Sequence, residues 1–234
     1  MAATLVIAGR FNGPPGSGNG GYVCGLLAKE TNSQTCVVSL RAPPPLDTPL
    51  SVWRDGEIVR LSQGDAVVAE GRPATLELAA PPAPTFSAAE AARARYRGLL
   101  DHRYPTCFVC GPQRAGRDGL DIFTGPVEGS DMVAATWAPT RDLYEDGQLA
   151  PEFVHAALDC PSYWALPRAG EMAALLAKMT TRVDGALPRL GEPLIVAAWP
   201  LASEGRKHRG ASALYGEGGR IIAVAEALWI EPRR

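Results

Sequence analysis

Two apolar helical stretches, each followed by a train of short strand-like runs, constrain this chain more than any other feature. "GYVCGLLAKE" at 21–30 opens on glycines and gives out at "TNSQ", while "PEFVHAALDCPSYWAL" at 151–166 carries Pro151 in its first turn, where a missing N–H costs no helical hydrogen bond. After the first come "TCVVSL", "LSVWRD", "EIVRLSQ" and "AVVAEGRPATLEL". After the second come "MTTRVDG", "PLIVAAWPLAS", "RKHRGASALYG" and "RIIAVAEALWIEP", again parted by Gly, Pro and Asp turns. Strand-like sequence also precedes each helix: "TLVIAGRF" before the first, "LDIFTGPV" and "DMVAATWAP" before the second. The order strand, helix, meander occurs twice, which reads as an α+β chain rather than the strand-helix alternation of a parallel sheet.

A local match supports an internal duplication. "APPPLDTPL" at 42–50 and "ALPRLGEPL" at 186–194 share Ala42/Ala186, Pro44/Pro188, Leu46/Leu190, Pro49/Pro193 and Leu50/Leu194, each just before a strand that follows its helix. Between the halves, "AAPPAPTFS" reads as a linker leading into "AAEAARARYRGLL", a charged, Ala-rich exposed helix. The expected organisation is an N-terminal unit at 1–80, a linker with its helix at 81–104 and a C-terminal unit at 105–234.

Composition removes several function classes. With 46% hydrophobic and 21% charged residues, the chain is that of a soluble globular protein, and a formal charge of -2 with both signs interspersed gives no basic face for nucleic acid. The N-terminal "MAATLVIAGRFNG" has no basic segment followed by a long apolar run, and no stretch approaches a membrane span, so a cytoplasmic address is expected. Five cysteines (24, 36, 107, 110 and 160) are odd in number and widely spaced, which argues against a disulfide framework. "CFVC" at 107–110 is a lone C-x-x-C; with no second pair and no H-x-x-x-H at comparable spacing, it reads as a packed or turn-forming pair, and neither metal nor cofactor is expected.

"GSGNGGYVCGLL" at 16–27 spells G-x-G-x-x-G through Gly16, Gly18 and Gly21. A dinucleotide turn needs a buried strand running straight into the glycines and an acidic residue about 20 positions on for the ribose. Here "FNGPP" intervenes, and "TCVVSLRAPPP" supplies no acid. What remains is a helix N-terminus whose free N–H groups suit a developing oxyanion as well as a phosphate, with Gly20 and Gly21 permitting close approach to the backbone. In the second helix Glu152, His155 and Asp159 fall near one face at spacings of three and four. Glu152 suits the helix dipole in the first turn and His155 reads as an exposed or hydrogen-bonded bystander, whereas Asp159 sits late in an apolar helix, where a carboxylate opposes the dipole. A basic run, Arg206, Lys207, His208 and Arg209, falls in a strand or turn near the C-terminal end and by itself reads as a solvated face. His102, in the linker region, carries no expected role.

"CFVCGP", then "GLDI", a strand and a helix ending in "AALD", resemble the PaaI-type branch of the hotdog-fold acyl-CoA thioesterases, and "NGGYVCGLLA" resembles the same family's glycine-bearing helix. The resemblance implies a double hotdog: two antiparallel sheets, each wrapping a central helix, packed as a pseudo-dimer with one site between them. In that family one unit offers glycine N–H groups to the thioester carbonyl and its partner supplies a carboxylate. Asn19 then stands where the family usually has His, and Gly20 and Gly21 match its glycines. The acid position of the first half is Ala28, while Ala150, Pro151 and Glu152 depart from the second half's glycine motif and Asp159 keeps its acid. Each half retains what the other lacks.

The resemblance therefore implies a thioesterase with Asp159 as base or nucleophile and Asn19, Gly20 and Gly21 at the carbonyl. Glu152, His155, Arg206, Lys207 and His208 are the substrate-binding expectations, the basic run meeting the nucleotide phosphates if the substrate is a CoA ester, and an acyl-CoA or acyl-carrier thioester is the partner. A non-catalytic acyl-binding scaffold and a hydroxyacyl-thioester dehydratase are the alternatives. A tandem unit satisfies the pairwise contact by itself and leaves further homodimerisation open.

Overall fold

A computed structural model describes residues 3–233. The strands are β1 (Ala3–Val6), β2 (Thr35–Leu40), β3 (Pro49–Asp55), β4 (Ile58–Gln63), β5 (Ala66–Pro73), β6 (Gly125–Pro126), β7 (Val133–Trp137), β8 (Tyr144–Glu145), β9 (Gln148–Leu149), β10 (Leu175–Val183), β11 (Leu194–Glu204), β12 (Lys207–Tyr215) and β13 (Ile221–Ile230). The helices are α1 (Gly20–Thr31), α2 (Phe86–Arg93) and α3 (Pro151–Trp164).

The expectation of two sheets is corrected. Eleven strands form one antiparallel sheet in the order β1-β3-β4-β5-β2-β10-β13-β12-β11-β7-β6. The join is β2 with β10, in register from Lys178 opposite Ser39 to Arg182 opposite Thr35. Left apart, each of these strands would present a row of unpaired N–H and C=O groups, and pairing them removes both edges at once. The β8-β9 hairpin, turning through Asp146 and Gly147 at positive φ, stands outside this sheet.

The buried core runs continuously from α1 to α3 and the strands beneath them, through Val23, Leu27, Val154 and Leu158 to Val38, Met179 and Ala225. A Cβ built on Gly21 would meet Asp159 Cβ and lie 2.9 Å from His155 O; one built on Gly25 would lie 2.5 Å from Glu152 Cα. The contact on α3 thus moves backward as α1 moves forward, so the two helices run antiparallel and nearly touch through two glycines spaced four apart. Asn19 caps α1, its Oδ1 accepting the Tyr22 N–H at 2.9 Å, and Asn32 ends it at φ 50.

One expected strand is largely absent. Within "LDIFTGPV" only Gly125–Pro126 pairs into the sheet. The preceding residues spend their amides on the 107–110 turn instead, Leu120 N–H to Phe108 O at 2.8 Å and Ile122 N–H to Val109 O at 3.0 Å. The linker helix begins at Phe86 and ends at Arg93, short of the "RYRGLL" end of the expected helix. Among the described residues no helix is long and apolar enough to cross a membrane.

Candidate active site

The glycine-rich loop folds back on itself rather than around a phosphate. Gly13 N–H bonds to Ser17 O and Gly18 N–H to Pro44 O, both at 2.8 Å, and Gly16 takes the turn at φ 71. This fixes where the tip of α1 emerges. At that tip Asn19 is 2% exposed and its Nδ2 donates to Asp159 Oδ2 at 2.8 Å; the Gly21 N–H donates to the same oxygen at 2.9 Å. Asp159, also 2% exposed, therefore has one carboxylate oxygen held by two donors, while Oδ1 has no hydrogen-bond partner. Burial pushes the Asp159 carboxyl up to about 7, against the opposing pull of the Gly21 N–H and Asn19 amide.

α3 is anchored so that Asp159 keeps this aim. Ser162 Oγ donates to the Asp159 carbonyl at 2.7 Å and accepts from Trp229 Nε1 at 2.9 Å; Ser212 Oγ, on β12, donates to the Leu158 carbonyl at 2.7 Å. Pro161 has no N–H to give the Ala157 carbonyl, and the same last turn of α3 is tied to the sheet through Ser212 and Trp229. Gly210 lets β12 pass against the Ser162 carbonyl, where a Cβ would collide.

Asp159, Asn19 and Gly20 line one cavity of about 440 Å³. Much of its wall is apolar, including Leu40, Ala174, Leu176, Tyr163 and Trp164. Gly21 N–H is occupied by Asp159, whereas the Gly20 N–H, at the cavity wall, makes no hydrogen bond among the described residues. Cys107, Cys110 and Cys160 line the same cavity, as do the exposed Arg41 and Arg103 and the linker residue His102.

The remaining expected residues lie elsewhere. Glu152 and His155 are buried in the α1–α3 seam and do not line the cavity: Glu152 pairs with Lys29 at 3.0 Å, and His155 Nδ1 lies 2.9 Å from the Pro151 carbonyl. Burial lowers the His155 imidazole below its usual range, which favours its neutral form. The end of the seam related to the Asn19 end thus holds a Lys29–Glu152 ion pair, with Pro151 lacking an N–H and Ala28 in place of an acid. Arg206 and Lys207 are exposed at the β11-β12 turn, with Arg206 Nη1 donating to the Glu231 carbonyl at 2.6 Å. His208 sits between Ser203 Oγ and Glu231 Oε1, each at 3.0 Å, and none of these three lines the cavity. Sequence reasoning missed Cys160, His102, Arg41 and Arg103 as cavity residues: Cys160 directly follows Asp159 but carries no motif of its own, and the other three lie in segments that share none with Asp159 or Asn19.

No protein-family model and no curated protein sequence matches the chain. Solved structures do resemble it over nearly its whole length. The tesB protein of Mycobacterium avium subspecies paratuberculosis superposes with a TM-score of 0.64 at 15% identity, covering 98% of this chain and 92% of that one. A conserved hot dog fold protein of unknown function from Alicyclobacillus acidocaldarius gives 0.62 at 11% identity, covering 100% and 96%. Acyl-CoA thioesterase II TesB2 of Mycobacterium marinum gives 0.54 at 12% identity over 86% and 80%. With one sheet carrying two antiparallel central helices, and a likeness that spans these single chains nearly end to end, the chain has the double hotdog fold seen in TesB-type thioesterases.

Proposed function

We propose that the chain hydrolyses acyl-CoA or acyl-carrier thioesters at one site, where α1 meets Asp159 of α3. The observation that carries this reading is the carboxylate itself: buried, held through Oδ2 by Asn19 and Gly21, without a partner at Oδ1, and belonging to a residue that lines a largely apolar cavity. An acyl chain occupies the apolar wall. Asp159 takes a proton from water as its oxygen attacks the thioester carbonyl, and the Gly20 N–H stabilises the oxyanion. Collapse breaks the C–S bond, and the proton held by Asp159 passes to the departing thiolate, leaving a carboxylic acid and a free thiol.

The geometry disfavours a dehydratase, because His155 is turned into the helix seam with its Nδ1 on the Pro151 carbonyl and cannot act with Asp159 in the cavity. A panel of acyl-CoAs incubated with the protein tests the reading. Release of free CoA supports hydrolysis, binding without release supports a scaffold, and loss of water from hydroxyacyl-CoA by mass spectrometry supports a dehydratase.

Arg41 and Arg103 are the cations exposed at the cavity, and they replace Arg206 and Lys207 as the partners for nucleotide phosphates. A charge-assisted hydrogen bond contributes about 1.5–3 kcal/mol. Arg41→Ala and Arg103→Ala should each raise KM for acyl-CoA about tenfold and leave thioesters lacking the nucleotide unchanged; Arg206→Ala should change neither. Steady-state kinetics on the two substrate types checks this.

A further inference from the structure

The turn at 107–111 brings two cysteines together, and α3 adds a third. Cys107 N–H bonds to the Tyr104 carbonyl and Gly111 N–H to the Cys107 carbonyl, each at 2.9 Å. A Cβ on Gly111 would lie 2.5 Å from Cys107 N and 2.6 Å from its carbonyl oxygen, so this tight C-x-x-C-G turn requires glycine. Across from it, Cys160 is the residue after Asp159. The three sulfurs lie within 4.8 Å of one another, with Cys107 Sγ and Cys160 Sγ 3.6 Å apart, and none is in a disulfide. Thiolates about 2.3 Å from a tetrahedral zinc ion stand about 3.8 Å from each other, so the Cys107–Cys160 separation is close to one edge of such a site.

Cysteines that merely fill a core are surrounded by carbon. These are approached by donors. Asn19 Nδ2 is 4.0 Å from both Cys107 Sγ and Cys160 Sγ, and His102 Nε2 is 3.3 Å from Cys110 Sγ. Because His102 Nδ1 accepts the Tyr104 N–H at 3.0 Å, its proton resides on Nε2 and is donated to the sulfur. His102 is therefore a hydrogen-bond partner of Cys110, in the way that groups around a metal-bound thiolate are, and not a ligand itself.

We propose that Cys107, Cys110 and Cys160 bind one thiophilic metal ion of the zinc class as three thiolates, with its fourth position open to the cavity that all three line. Soft thiolate donors select zinc or copper(I) over magnesium or calcium. On binding Zn²⁺ the three thiols release three protons to solvent and no electrons move. The ion joins the 107–111 turn to α3 beside Asp159, with Asn19 Nδ2 between the sulfurs and the carboxylate. This assignment does not depend on the thioesterase reading.

The test uses the full chain expressed in zinc-supplemented medium and desalted. Elemental analysis should find one zinc per chain, X-ray absorption should show three sulfur neighbours and one lighter one, and the cobalt(II) form should show thiolate-to-metal charge-transfer absorption. Cys160→Ser should weaken zinc binding by more than 100-fold in a competition titration. His102→Ala should retain one ion per chain with affinity weaker by about 10- to 100-fold, the range for a residue that supports a ligand. Zinc-free protein with all five thiols open to alkylation after unfolding, or a Cys107–Cys160 disulfide by mass spectrometry, would overturn the proposal. So would abolished binding in His102→Ala alongside intact binding in Cys160→Ser. The wild-type measurements decide the matter even if a cysteine variant fails to fold.

Discussion

Asp159→Asn should lower kcat/KM for acyl-CoA hydrolysis by about 10²- to 10⁴-fold, the contribution of a positioned general base. The substitution is nearly isosteric, and an asparagine oxygen can still accept from Asn19 Nδ2 and the Gly21 N–H, which now share Asp159 Oδ2 at 2.8 and 2.9 Å. Those two donors orient the new amide so that its NH₂ occupies the place of Oδ1, the one oxygen left without a partner. The lone pair that would take the water proton is lost while the volume is kept. Stability should hold or rise, because a carboxylate that is costly to bury is replaced by a neutral group. Free-CoA release measured beside a thermal melt separates the two effects. Turnover within a few-fold of wild type would remove Asp159 from the chemistry, whatever the fold does. Asn19→Ala is the informative companion: it removes one donor to Asp159 and also the cap on the Tyr22 N–H, so it should lose both rate and about 1 kcal/mol of stability.

The elements of this fold were legible where periodicity and turn chemistry speak locally, and illegible where backbone joins backbone. Both central helices and the long strands of the second half fall where their apolar patterns and Gly/Pro stops place them. The β2–β10 join carries no such signature, since a ladder between two sheet edges is made of amides and carbonyls that every sequence has. Helical spacing put Glu152, His155 and Asp159 on one face of α3, which is correct. That face packs along α1, however, and only Asp159 reaches the cavity. The Arg206–Arg209 run was conspicuous because it is contiguous, yet the β11-β12 turn carries Arg206 and Lys207 to solvent. Arg41, Arg103 and Cys160 come from three separate segments, and only the folded chain shows that they share a wall. The pairing of Asn19 with Asp159, 140 residues apart, was reachable through a family resemblance and not through spacing.

Gly25→Ala tests the helix seam on which that pairing depends, and the sign of its effect is diagnostic. In an exposed helix interior the change should stabilise by about 1 kcal/mol, because alanine is the better helix former. Gly25 is buried, and the added Cβ would stand 2.5 Å from Glu152 Cα and 2.9 Å from Glu152 O, both atoms of the α3 backbone. No rotamer change relieves a clash with backbone, so the helices must separate. Overpacking of this kind costs about 1–3 kcal/mol, and a backbone clash belongs at the upper end, leaving a net loss of about 2 kcal/mol once the helix gain is subtracted. For a chain of this size each kcal/mol lowers Tm by about 2–4 °C, so a fall of about 4–8 °C is expected in calorimetry. Activity should fall further than the population of folded protein does, because moving α1 away from α3 lengthens the Gly21 and Asn19 bonds that aim Asp159. A variant as stable as wild type would mean that the two helices do not meet through this glycine, and the juxtaposition of the α1 tip with Asp159 would lose its structural basis.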